Sequence, residues 1–344
     1  MCPQKVNRYK RLPPTPFLLL HGININQTLN RRGFMRMDRT APITVIGGAN
    51  IDILAKYSGP VITSGDSHHG QISTSAGGVA RNIAENLARL GSAVQLITGL
   101  GDDGFSAPVR ESLDVPLLDI TACYAPPNTP SDSYLSLYDK TGELVTAVNQ
   151  MQLVNKLTPS YLSSFESEIT GAALIIADCN LPPDTIYWLT DLPDRPALFF
   201  DGVSMEKIMR LQPCLDRFDG LKCNQLEARA LLNCSAQPTP EQLVASLHDH
   251  GITTVLLSLG ADGVQLGRAG RQTHFPLPEP PQTIASVAGA GDALLAGFLH
   301  SQCHGASDAA AVHLGLCAAQ LSLTCTDAVH PDIASLCTDQ RGVV

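Results

Sequence analysis

Short apolar runs that end in glycine or aspartate, with helical stretches between them, leave this chain few folds to choose from. Ile43-Thr44-Val45-Ile46-Gly47-Gly48, Ala173-Leu174-Ile175-Ile176-Ala177-Asp178, Ala197-Leu198-Phe199-Phe200-Asp201 and Thr254-Val255-Leu256-Leu257-Ser258-Leu259-Gly260 are apolar almost throughout. Strands covered on both faces read this way. Segments such as Glu241 to His250 have helical character, and the alternation predicts an α/β fold with a mainly parallel sheet. Ligands of open α/β sheets bind at the carboxyl ends of the strands. Gly47-Gly48 with Ala49-Asn50-Ile51-Asp52, Asp178 and Asp201 would all gather there.

At 344 residues, 44% hydrophobic and 16% charged, the chain can bury one large α/β core or two modest ones. That excludes a disordered or fibrous protein. No apolar run approaches the roughly 18 residues of a membrane span, and Phe17-Leu18-Leu19-Leu20 is too short for a signal-peptide core. The expectation is a cytoplasmic protein with no membrane partner. Ten cysteines are scattered without a C-x-x-C pair, so they read as reduced, mostly buried thiols, and neither they nor the histidines suggest a metal cluster. His68-His69 reads as loop.

Charge divides the chain. Residues 1–41 carry eight Lys or Arg against Asp38 alone, a net +7, which leaves −16 on the rest of a chain whose total is −9. The basic segment lacks periodicity, contains Pro13-Pro14 and Pro16, and precedes Met35 and Met37. It reads as an N-terminal extension, disordered or upstream of the true start, with an RNA-binding or targeting arm as the alternative. The acidic body argues against a nucleic-acid partner.

Two motifs carry the chemistry. Val287-Ala288-Gly289-Ala290-Gly291-Asp292 leads into the apolar run Ala293 to Leu299. Its small residues let backbone N–H groups approach an anion, and the start of the following helix adds a positive dipole end. Asp292 in that first turn could accept a hydroxyl proton while the cradle stabilises a transferring phosphoryl group. Taken alone, a G-x-G-D stretch is more simply a glycine turn with an aspartate cap. The second motif is Gly77-Gly78 before Val79 to Gly91, in which Val79, Ile83, Leu87 and Leu90 form one helical face and Gly91 suits the C′ position. Asn82 lies off that face, one turn from the glycines, and points either to whatever they admit or to solvent. Segments around 53–76 and 118–150 read as a small sheet. Ser133 to Tyr138 alternates, turns at Asp139-Lys140-Thr141-Gly142 and resumes through Glu143 to Val148 as a hairpin that would cover the site.

Together these residues resemble the ribokinase-like (PfkB) family of carbohydrate kinases over about residues 42–336, with a kinase domain expected at 42–338. Within it they are most similar to the pseudouridine kinases, through Gly47 to Asp52, Ala76 to Leu87, Ser133 to Leu137 and Ala177 to Asn180. The resemblance implies a three-layer sandwich, a central mainly parallel sheet flanked by helices, with a small β-sheet lid. It also implies transfer of the γ-phosphate of ATP to the 5′-hydroxyl of pseudouridine. A ribose-like sugar or another nucleoside as acceptor stays open, as does a non-catalytic sensing protein on the same fold. A dinucleotide oxidoreductase is disfavoured, because the first strand does not end in G-x-G-x-x-G.

Residue by residue, the resemblance makes Asp292 the catalytic base and Gly289, Ala290 and Gly291 the anion hole. Asn50, Asp52, Gly77, Gly78 and Asn82 would hold the ribose hydroxyls. Ser133, Tyr134 and Asn149 would lie near the base of the nucleoside. Asn224 and Glu227, from an N-x-x-E motif, would organise Mg²⁺ and phosphate through water, and Ser258, Gly260 and Gly263 would line the nucleotide. Ala288 stands where threonine is common and Ser286 where many members have aspartate, which leaves a monovalent cation open. Lid sheets that pair across a two-fold axis imply a homodimer.

Overall fold

In the computed structural model, which describes residues 41–59, 65–279, 281 and 283–338, all four apolar runs become strands. The expected extension lies outside the described residues up to residue 40, as do residues 60–64 of the expected lid. In chain order the strands are β1 (Ile43–Ile46), β2 (Asn50–Tyr57), β3 (Gly70–Gly77), β4 (Val94–Ile97), β5 (Leu118–Asp119), β6 (Ser133–Tyr138), β7 (Leu144–Gln150), β8 (Leu174–Asp178), β9 (Leu198–Asp201), β10 (Gly220–Asn224), β11 (Thr254–Ser258), β12 (Val264–Arg268) and β13 (Arg271–Phe275).

One sheet has the order β13-β12-β11-β10-β9-β8-β1-β4-β5, parallel from β5 to β11, with β12 and β13 added antiparallel at one edge. Alternate residues of its central strands enter different cores. Ile46, Ile175, Ala177, Phe200, Leu221 and Leu257 pack on one side, and Val45, Leu174, Ile176, Phe199 and Leu256 on the other. That two-sided burial is why the strands lack a polar face. Helices cover both sides, giving three layers. Helix Val79–Arg89 and helix Ala290–Cys303 share one of them and are buried almost all round.

The smaller sheet has the order β3-β2-β6-β7. The hairpin forms as read: Asp139 Oδ1 accepts from the Thr141 and Glu143 amides at 2.8 and 2.9 Å, and Gly142 takes φ +88. The expected lid boundaries change in two places. This sheet begins at Asn50, and residues 118–132 belong mostly to the main body. Leu118–Asp119 pairs with Val94–Gln95, and Ala122 is buried in the core, because a short apolar segment extends the parallel sheet more favourably than it could a solvated lid.

Candidate active site

Helix Ala290–Cys303 begins where Gly289 adopts φ +75, and a Cβ at that position would collide with the Ala328 carbonyl. Only glycine fits. The first backbone N–H groups of such a helix have no intrahelical partner and point outward with the positive end of the dipole. Ala290 and Gly291 stand at that helix start, where the sequence places the anion hole. Asp292 lies in the first turn, 7% exposed.

Asn82 resolves its two readings in favour of the interior. It is buried, and its Nδ2 donates to Asp292 Oδ2 at 2.6 Å across 210 residues of sequence. The two motifs therefore meet. Burial pushes the Asp292 carboxyl up to about 7, and Asp201 adds to the rise, against Lys222, the Asn82 hydrogen bond and Arg81. Its proton affinity thus lies close to neutrality, where a general base works best.

Lys222 is a site residue that the motifs did not reveal. It projects from β10 and pairs with Asp201 Oδ2 at 2.9 Å, and its ammonium lies where a side chain on Gly291 would have to go. Burial alone lowers its proton affinity, yet Asp201, Asp292 and Glu227 together outweigh that and hold it above its ordinary range. The available signal was a lone lysine inside the buried run Gly220-Leu221-Lys222-Cys223, since cations are seldom fully buried without a partner. Asp178, which the sequence placed at the carboxyl edge of the sheet without a role, is fully buried there. Its Oδ2 accepts from the Gly48 and Ala80 amides, each at 2.9 Å, and so ties the turn between β1 and β2 to helix Val79–Arg89.

Asn50, Asp52 and Gly77 share one face of the small sheet. Asn50 Nδ2 donates to Asp52 Oδ1 at 2.6 Å, and a Cβ on Gly77 would strike the Asp52 carboxylate. Burial raises the Asp52 carboxyl, opposed by the Asn50 hydrogen bond and by Arg81. Gly78, at φ +98, is packed on the Gly48 and Ala49 backbone, where only glycine fits. In register, Asp52 opposes Tyr134, which opposes Asn149, so these three form a row on that face. Ser133 pairs instead with Ile51 and Gln150. Strand alternation puts it on the opposite face, so the three residues expected near the base, Ser133, Tyr134 and Asn149, do not share one face.

Along the carboxyl edge of the main sheet, Asn224 is the register partner of Ser258. Asn224 and Glu227 form a capping box at the start of helix Gln225–Leu231: Glu227 N donates to Asn224 Oδ1, and the Glu227 oxygens accept Asn224 N and Nδ2, all at 2.8 to 2.9 Å. Glu227 is raised by burial, against Lys222. An oxygen-rich pair of this kind suits Mg²⁺ held through water. Among the described residues, no group of three or more His, Cys, Asp or Glu side chains could hold a metal. Gly260 and Gly263 take φ +63 and +90 in the turn after β11, and Gly263 has the Phe275 and Pro276 backbone against its α-carbon. Ser286 accepts the Ala288 amide at 3.1 Å and offers no carboxylate for a monovalent ion.

Residues 40–334 match the family described as pfkB family carbohydrate kinase. The chain is 33% identical over 294 residues to the pseudouridine kinase of Escherichia coli (strain K12), covering 85% of this chain and 93% of that protein. It is 30% identical over 267 residues to a protein of the same strain named uncharacterized sugar kinase YeiI, covering 76% and 73%. Arabidopsis thaliana ribokinase, in a structure complexed with ribose and ATP, superposes with a TM-score of 0.76 at 21% identity, over 86% of this chain and 97% of that one. That likeness concerns the fold, which is ribokinase-like. No helix among the described residues is long and apolar enough to cross a membrane. With both motifs converging on one buried carboxylate, and with matches spanning most of its length, the chain belongs to the pfkB family of carbohydrate kinases and is a phosphotransferase acting on a sugar or a nucleoside.

Proposed function

We propose that this kinase transfers the γ-phosphate of ATP to the 5′-hydroxyl of pseudouridine, with Asp292 as general base. The observation that carries the mechanism is the convergence of Asn82, Asp292, Lys222 and the Gly289–Gly291 helix start. A hydroxyl presented to Asp292 would pass its proton to the free carboxylate oxygen as it attacks phosphorus. The Ala290 and Gly291 amides, the helix dipole and the Lys222 ammonium face the charge that develops on the transferring group. Positioning by Asn50, Asp52 and Asn82 supplies the orientation on which such a loose transition state depends. Asn224 and Glu227 would hold Mg²⁺ through water, and the ion, when bound, would neutralise phosphate charge. The small sheet would exclude water that otherwise competes as acceptor.

For the acceptor, support comes from the 33% identical relative named pseudouridine kinase and from the row Asp52, Tyr134 and Asn149, which offers polar groups beside the site. The relative named as a sugar kinase favours a second reading, a ribose-like sugar or another nucleoside.

ADP release with Mg²⁺ and ATP against pseudouridine, uridine, adenosine, ribose and fructose tests both. The expected result is preference for pseudouridine, with turnover reduced by about 10³-fold or more in Asp292→Asn. Preference for ribose would keep the mechanism and replace the acceptor. Undiminished turnover in Asp292→Asn would sink the mechanism.

A further inference from the structure

Helix Val79–Arg89 buries an arginine inside its packed face. Arg81 is 2% exposed, and a guanidinium so placed needs partners for its N–H groups. It finds them on both sides of the site. Nε donates to the Gly77 carbonyl at 3.2 Å, and one terminal nitrogen donates to the Ala76 carbonyl at 2.7 Å and to Asn82 Oδ1. The other pairs with Glu85 at 2.5 Å, and Glu85 in turn takes Arg89 at 2.8 Å.

Arginine cannot accept a hydrogen bond. Asn82 must therefore turn its oxygen to Arg81, which leaves its NH₂ for Asp292. Ala76 and Gly77 close β3, the strand that carries the small sheet back to the main body. One guanidinium thus joins the end of the lid to the amide that holds the proposed base.

We propose that Arg81 is a positioning residue that sets the orientation of Asn82 toward Asp292 and couples it to the lid strand. This rests on the reading of Asp292 as base. The charged groups facing Asp292 are Arg81 from its helix, Asp201 from β9 and Lys222 from β10; those facing Arg81 are Glu85, Asp292 and Asp52. Removing Arg81 takes away one of two cations near Asp292, so the carboxylate holds its proton to higher pH. Glu85 faces Arg81 and is not among the charges facing Asp292, so removing its charge leaves the carboxylate where it is.

The test is kcat and KM measured from about pH 5 to 9 for Arg81→Gln, Arg81→Lys and Glu85→Gln. Arg81→Gln is expected to lower kcat by about 10²-fold and to move the acid limb of the kcat profile to higher pH, with KM for ATP unchanged. Arg81→Lys, which keeps the charge but not the fork, should return the limb toward wild type while kcat stays low. Glu85→Gln should leave the limb in place, and Arg81→Lys carries the test alone if Arg81→Gln does not fold, through a lowered kcat at an unchanged KM for ATP. A merely structural role would lower the melting temperature and leave the limb in place, and that result in a folded Arg81→Gln, or wild-type kcat in a folded Arg81→Lys, overturns the proposal. Full turnover in Asp292→Asn would overturn the base assignment instead.

Discussion

Asp292 sits where ionisation is opposed by burial and by Asp201, and favoured by Lys222, Asn82 and Arg81. The balance, a carboxyl pushed up from its ordinary range to about 7, has opposite consequences for rate and for stability. In the proposed mechanism the ionised form is the base, so kcat is expected to fall as pH drops through about 7. The raised value means that the folded state holds the proton more tightly than the unfolded one, so this residue's favourable contribution is present below about pH 4 and lost as pH rises through about 7. Asp292→Asn removes the charge and keeps the shape. It should therefore be more stable than wild type at about pH 8, by roughly 1–3 kcal/mol, with little difference at about pH 4; thermal melts at the two pH values decide it. An Asp292→Asn protein less stable than wild type at the higher pH would mean that Lys222 needs this carboxylate more than burial opposes it.

The active helix starts at the one residue that its surroundings allow. Gly289 needs a left-handed φ, and its α-carbon faces the Ala328 carbonyl, so Gly289→Ala meets both backbone strain and a collision with a main-chain atom. The expected loss is about 1–3 kcal/mol, with kcat reduced more than KM because the cradle amides shift. Melting and steady-state rates of one preparation measure both. A soluble, fully active Gly289→Ala would show that the cradle tolerates a displaced first turn. The small sheet shows the reverse relation of residue to element. Its period-2 pattern was readable in Ser133 to Tyr138, yet which face of each strand met the site was not, because that depends on the pairing of β6 with β2.

On the opposite face from Asp52, the small sheet presents Ile72, Leu135 and Val148, respectively 75%, 41% and 65% exposed. Register places them together, and a grouped apolar face of this kind is costly in water. A homodimer through this face is the expected state. Light scattering at micromolar concentration should give twice the 36.6 kDa chain mass, and Ile72→Glu with Val148→Glu should halve it; a monomeric wild type would remove the dimer. By itself the sequence determined the layer architecture, because strands buried on both faces and helices with apolar stripes satisfy their periodicities in few ways. It also determined Gly289 to Asp292 and Gly77 to Asn82, whose glycines and polar residues lie next to one another in the chain. Only the tertiary structure decided that Asn82 meets Asp292, that Lys222 faces both Asp201 and Gly291, and that Arg81 bridges the end of β3 and Asn82. Those contacts join distant segments, and burial, which makes their charges matter, is a property of the packed molecule and of no single stretch of it.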